Sequence, residues 1–154
     1  MKCIRRLIVN AFIVVILSSC VASNTMYYWG KVSLSDKITQ YEKVTYNYYK
    51  SKSPKSICEM IETYHDIIVK CKDNEKMIPP GICAELGYIL LNHENEACFN
   101  TYASKSQKKK MEGVIFFEYG KELMEKEMSL YPESRHFLEP VIERLANEKE
   151  EVGL

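Results

Sequence analysis

Six cysteines and three histidines are the side chains in this sequence with the most obvious chemical reach. His65 stands between Tyr64 and Asp66, His93 precedes Glu94, and His136 follows Arg135. An imidazole beside a carboxylate can act as a general base, but no nucleophile lies at a recognisable spacing from any of the three. The serines fall at breaks and caps, and neither a phosphate-cradling glycine loop nor a Gly-x-Ser-x-Gly elbow occurs. The cysteines show no Cys-x-x-Cys and the histidines no His-x-x-x-His spacing, so zinc is an alternative without support from spacing. The sequence therefore nominates no catalytic residue and predicts a protein that is not an enzyme, with no metal and no small-molecule substrate. Lysine plus arginine (21) balances aspartate plus glutamate (21), which gives no basic surplus for nucleic acid. Lys108-Lys109-Lys110 reads as a solvated run.

The amino terminus has its own chemistry. Lys2, Arg5 and Arg6 precede an apolar stretch from Leu7 to Leu17, interrupted only by Asn10. That is the layout of a secretory signal, and the stretch is about half of the ~20 residues needed to span a bilayer. It ends Leu17-Ser18-Ser19-Cys20, which resembles the lipobox of bacterial lipoproteins. The resemblance implies diacylglycerol on the Cys20 thiol, cleavage after Ser19, and a fatty acid on the freed amine. Two or three acyl chains anchor a protein effectively permanently, at ~0.8 kcal/mol per buried methylene. An ordinary secretory signal is the alternative. Val21 rather than aspartate after the cysteine implies the outer membrane, with the domain facing the periplasm. Without residues 1–19 the chain carries 18 basic and 21 acidic residues, too acidic to be held on anionic lipid by charge.

Cys3 leaves with the signal and Cys20 takes the lipid, so Cys58, Cys71, Cys83 and Cys98 remain in an oxidising compartment. Three pairings are possible. If the segments after Pro54 and after Pro80 form an antiparallel hairpin, Cys71 faces Cys83 near its turn and Cys58 faces Cys98 at its open end. The nested pairing 58–98 and 71–83 is the one expected, and loops of this size stabilise by roughly 3 to 4 kcal/mol each. Against it, thirteen residues at ~100° each place Cys58 and Cys71 away from a common helix face.

The elements that must position these residues are helical. Ser35-Asp36 offers a cap, and Ile38, Tyr41, Thr45 and Tyr48 follow at helical steps. Ser51-Lys52-Ser53-Pro54 breaks that run and starts the next. Ile57, Met60, Ile61, Tyr64, Ile67, Ile68 and Cys71 stripe a helix from Pro54 to about Lys72, ended by Asp73-Asn74. Pro79-Pro80-Gly81 opens another through Ile82, Leu86, Ile89 and Leu90. Asn92 to Lys110 reads as an exposed loop or frayed helix. Val114 to Leu130 is helical, with Phe117, Gly120, Leu123, Met124 and Met128 on one side. Tyr131-Pro132-Glu133-Ser134 is a stop and a fresh cap, after which Phe137, Leu138, Val141, Ile142 and Leu145 stripe the last helix. No segment alternates with period two for long. The prediction is an all-α fold of about five helices: signal peptide 1–19, lipidated tether 20–25, helical domain 26–147 and a charged, fraying tail 148–154.

Eleven tyrosines are many for this length. Those at Tyr27, Tyr28, Tyr41, Tyr46, Tyr48 and Tyr49, with Trp29, exceed what one helix face can bury. Surplus aromatics on a small domain mark a partner surface, or they lid the core near the tether; the sequence leaves both open. The partner-facing candidates are Tyr27, Tyr28, Trp29, Tyr48 and Tyr49.

Three local patterns carry a wider resemblance: Tyr28-Trp29-Gly30 before the tyrosine-rich helix, Pro79-Pro80-Gly81 with Leu86-Gly87, and Glu125-Lys126-Glu127 leading to Tyr131-Pro132-Glu133-Ser134. Together they resemble a family of small bacterial outer-membrane lipoproteins of unassigned function. The resemblance implies a tetratricopeptide-like C-terminal hairpin, with Leu86-Gly87 on its first helix, Gly120 where the helices cross, Met124 the bulky neighbour and Pro132 the stop. Against a repeat of ~34 residues, Asn92 to Lys110 is an insertion. Members are typically encoded beside a lipoprotein related to the curli-export pore, so the resemblance implies other envelope lipoproteins as partners. The expectation is a non-catalytic, membrane-anchored adaptor or assembly factor whose only attached groups are the lipids on Cys20. The alternatives are a structural envelope lipoprotein without a dedicated partner, and an envelope enzyme.

Overall fold

The computed structural model describes residues 26–152. The expected signal peptide, the cleavage residues Leu17, Ser18 and Ser19, the lipidation site Cys20 and the tether lie outside them. Seven α-helices follow one another in the described chain: α1 (Gln40–Ser51), α2 (Pro54–Asp73), α3 (Ile82–Leu91), α4 (His93–Tyr102), α5 (Lys105–Lys110), α6 (Phe116–Leu130) and α7 (Arg135–Val152). The extended backbone among these residues amounts to isolated bridges, Tyr27 with Met77 and Val32 with Thr39. The fold is all-α, as the periodicities require.

Local chemistry sets most boundaries. Ser53 caps α2 by accepting from the Ser56 N–H, Pro54 sits in its first turn, and Asn74 closes it. Lys52 ends α1 in a left-handed conformation. The cap of α1 differs from the one expected: Thr39, not Ser35-Asp36, accepts from the Glu42 N–H while the Glu42 carboxylate takes the Thr39 N–H. This reciprocal box satisfies two orphan donors at once, which a single capping side chain cannot match.

Asn92 to Lys110, expected as an exposed loop or frayed helix, forms two capped helices. Asn92 caps α4 and Ser104 caps α5 in a box with Gln107. These helices have weak apolar stripes, so periodicity did not reveal them; Phe99 alone of α4 is buried, against Phe116 at 5.3 Å. Lys110, from the lysine run, is not simply solvated. Its ammonium lies 2.6 Å from Glu62 and 2.7 Å from Asp66, tying the end of α5 to α2.

The core gathers on α2 and α3, where Met60, Ile61, Tyr64, Ile67, Ile82, Leu86 and Leu90 are fully buried. At ~1.5–3 kcal/mol for each large apolar side chain, this central pair dominates the hydrophobic stabilisation. Helix α6 crosses α3 antiparallel. A Cβ on Gly87 would lie 2.7 Å from the Gly120 carbonyl oxygen, and one on Gly120 would lie 2.9 Å from the Gly87 carbonyl oxygen. The two glycines that the family resemblance places on this pair of helices therefore meet at its crossing.

Glu127 of α6 reaches the start of α3, which has no side-chain cap of its own. Its carboxylate accepts the Gly81 N–H at 2.6 Å, while Oε2 is buried without a partner. Burial pushes this carboxyl above the usual range, and the amides of Gly81, Ala84 and Cys83 act in the opposite direction.

Helix α7 packs more lightly, closing a small second cluster of Leu91, Met124 and Leu145. Phe137, expected on its buried stripe, is 67% exposed and lies against His136 at 3.7 Å. The helix continues past Glu148 to Val152, where a fraying tail was expected.

Gly87→Ala and Gly120→Ala should each destabilise the fold, because the added methyl meets a backbone carbonyl rather than a flexible side chain. Overpacking of this kind costs about 1–3 kcal/mol and outweighs the ~1 kcal/mol that alanine gains in helix propensity. Urea denaturation checks this; unchanged midpoints would mean that the helices do not cross where the glycines meet.

Candidate functional site

One of the chain's tyrosines, Tyr64, donates to a carboxylate on another helix. Glu85 lies in the first turn of α3, and its Oε2 accepts a hydrogen bond from the Tyr64 hydroxyl of α2 at 2.5 Å. Thr45 Oγ1 of α1 lies 2.8 Å from the same hydroxyl and donates to the Tyr41 carbonyl at 2.7 Å. Helix geometry then fixes the surroundings. Tyr41, Tyr48 and Tyr49 stand at i−4, i+3 and i+4 from Thr45, on its face of α1, and Tyr88 stands at i+3 from Glu85 on α3.

The rings make a continuous band. Tyr27 meets Trp29 at 6.3 Å, Trp29 meets Tyr41 at 4.9 Å, and Tyr41 stacks on Tyr64 at 5.4 Å. Tyr48 and Tyr49 pack edge to face at 5.2 Å. Burial holds the Tyr41, Tyr48, Tyr49 and Tyr64 hydroxyls above their usual range, and the Glu85 charge adds to the effect on all four. These hydroxyls remain neutral at physiological pH, and the one on Tyr64 is the donor to Glu85. Glu85 itself is half-buried and makes no ion pair among the described residues.

The five partner-facing candidates divide. Tyr28 and Trp29 are half-buried and packed against the core, with the Lys70 ammonium 5.9 Å from the Tyr28 ring. Tyr27 is half-buried at the same end. Tyr48 is 8% exposed and belongs to the core, whereas Tyr49 is 63% exposed. The lid reading therefore describes Tyr28, Trp29 and Tyr48, and the surface reading describes Tyr49. Tyr64, Glu85 and the 47%-exposed Tyr88 complete the site and were not nominated from sequence. The available signal was the i, i+3 pair Glu85–Tyr88, too common to stand out.

The histidines are dispersed. His65 Nδ1 lies 3.2 Å from the Tyr119 hydroxyl, and burial lowers its pKa. His93 and His136 begin α4 and α7 near their first turns, both exposed. Among the described residues, no three His, Cys, Asp or Glu side chains group as metal ligands.

Cys58, Cys71, Cys83 and Cys98 are free thiols in the structure, where the 58–98 and 71–83 disulfides were expected. The thiols of each expected pair are close enough to act on one another electrostatically. Burial raises the Cys58 pKa to about 11 with Cys98 adding to the shift, and raises Cys83 to about 12 with Glu127 and then Cys71 contributing. Cys71 Sγ points its proton at the Tyr28 carbonyl, 3.8 Å away.

A concavity of about 460 Å³ opens between α6 and α7 and is lined by Glu125, Met128, Arg135, Glu139, Ile142 and Glu143. Its Arg135 is already paired with Glu139 at 2.8 Å, which leaves it less to offer a ligand than Glu85 has. Among the described residues no helix is long and apolar enough to cross a membrane.

Residues 26–118 match a family described as a domain of unknown function, DUF4810. No curated protein and no solved structure matches the chain. The match spans the aromatic segment, α1 to α5 and the start of α6, so it contains every residue of the tyrosine site.

Trp29→Ala should lower stability by about 2 kcal/mol, since a half-buried indole loses its packing. Tyr49→Ala and Tyr88→Ala should stay within about 0.5 kcal/mol as exposed substitutions. Parallel thermal and urea unfolding of the three variants checks the division between lid and surface.

Proposed function

The chain belongs to the DUF4810 family, whose function is unknown, and on that footing we propose that it is a non-catalytic lipoprotein acting as a periplasmic adaptor or assembly factor. Its anchor would be the lipids on Cys20, placed by the lipobox-like Leu17-Ser18-Ser19-Cys20 at the periplasmic face of the outer membrane. Its partners would be other envelope lipoproteins, among them one related to the curli-export pore, as the family resemblance implies. The observation that carries the binding role is the exposure of Tyr49 and Tyr88 beside a half-buried carboxylate without an ion pair. Exposed tyrosine around a desolvated centre is the composition of an interface hot spot.

Crosslinking in intact membranes, followed by capture of the tagged protein, tests this reading. One or two lipoproteins should be enriched, and they should disappear both in Cys20→Ala and in the Tyr49→Ala/Tyr88→Ala double variant. Recovery of bulk envelope proteins alone would overturn the adaptor reading in favour of a structural lipoprotein.

Compartment has a separate signature. In the periplasm, Cys58 with Cys98 and Cys71 with Cys83 would each pass two electrons and two protons to a thiol–disulfide oxidoreductase and form a bond. The intact mass of protein trapped with acid should then rise by about 4 Da on reduction. A mass unchanged by reductant would count against the oxidising compartment.

A further inference from the structure

The structure assigns to the tyrosine-walled carboxylate Glu85 a cationic ligand: we propose that it binds a lysine or arginine side chain of a partner protein. The inference rests on the adaptor reading for its setting and names the chemistry that the partner must present.

The site has buried rings, exposed rings and a charge. Tyr64, which bonds Glu85, and Tyr48 are buried, while Tyr49 on α1 and Tyr88, one turn on from Glu85 in α3, are exposed. Glu85 is held by the Tyr64 hydroxyl at 2.5 Å, which uses one of its acceptor positions and leaves the others for a guest. A carboxylate accepts about four hydrogen bonds, and a partly desolvated one strengthens any charge-assisted bond that it forms. Tyrosine faces attract cations lying within about 6 Å of the ring centre.

The chain's own lysines show this preference nearby. Lys52 Nζ lies 5.9 Å from the Tyr48 ring centre, and Lys50 Nζ lies 5.6 Å from that of Tyr46. Neither forms an ion pair with Glu85 or any other carboxylate among the described residues. The charge on Glu85 is therefore without a cation while rings suited to a cation stand beside it. An anionic guest would meet the carboxylate, and a purely apolar one would cover it without compensation. Charge complementarity thus selects a basic side chain, with the ring faces taking its aliphatic stem.

The probes are acetyl-Gly-Lys-Gly-amide and acetyl-Gly-Arg-Gly-amide, with the norleucine tripeptide as neutral control. They are titrated into the full chain carrying carbon-13 in its tyrosine rings. Saturable NMR shifts of Tyr49 and Tyr88 are expected with the basic peptides, with dissociation constants of roughly millimolar size. Glu85→Gln, which keeps an acceptor for Tyr64, should weaken that binding by about tenfold. Equal shifts from the norleucine peptide, or unchanged affinity in Glu85→Gln, would overturn the proposal. Tyr49→Leu with Tyr88→Leu provides a second variant on the exposed rim and should abolish the saturable shifts that the basic peptides cause in the remaining Tyr48 and Tyr64 ring signals.

The membrane capture separates this proposal from the adaptor reading. A partner retained by Glu85→Gln but lost with Tyr49 and Tyr88 would leave the adaptor standing and overturn the cationic anchor. Peptide binding without any captured partner would support the site and overturn the adaptor.

Discussion

The arrangement depends on backbone contact between α3 and α6. Helices normally keep 8–10 Å between axes, a spacing set by the side chains at the crossing. Here Gly87 and Gly120 leave nothing between the two backbones. Met124 then fills the space beside Gly87, and Leu91 the space beside Gly120, with contacts close enough that neither glycine has room for a methyl group. This fixes α3 against α6, and α3 in turn is the helix that presents Glu85 to Tyr64. The position of the tyrosine site is thus inherited from two residues that have no side chains.

Much of the fold can be read from local sequence because its signals are local. Ser53-Pro54, Asp73-Asn74 and Pro79-Pro80-Gly81 mark the ends of α2 and the start of α3 through backbone rules that need no neighbour. The stripe from Ile57 to Cys71 is long enough to average out exceptions. The difficulties lie where several weak signals compete. Ser35-Asp36 and Thr39 both offer oxygen to a helix start, and the reciprocal Glu42 decides between them. Helices α4 and α5 are held by caps and by Phe99, with little periodicity to betray them.

The site was harder to read than the fold for a related reason. Tyr48 and Tyr49 are neighbours in sequence, yet a turn of ~100° sends one into the core and the other into solvent. Composition counts both alike. Glu85 meets Tyr64 across 21 positions, so packing rather than spacing creates the pair. The aromatic surplus lies on α1 and the segment before it, while the carboxylate that Tyr64 bonds is on a different helix. The cysteines rest on an argument of the same kind: an antiparallel hairpin led to the pairs 58–98 and 71–83, and the four thiols are unbonded in the structure.

Glu127 bears on how such a chain acquires its shape. Helix α3 begins at a glycine with no side-chain cap, and the oxygen that takes its Gly81 N–H comes from a residue 46 positions away. A ten-residue helix without a local cap is too short to persist alone in water. Its persistence therefore depends on packing against its neighbours, α2 in the core and α6 at the glycine crossing. The entropy of closing that long connection grows only with the logarithm of its length, so α4 and α5 can occupy it at little kinetic disadvantage. Selection could lengthen or reshape that connection while the start of α3 remained capped by the same distant carboxylate.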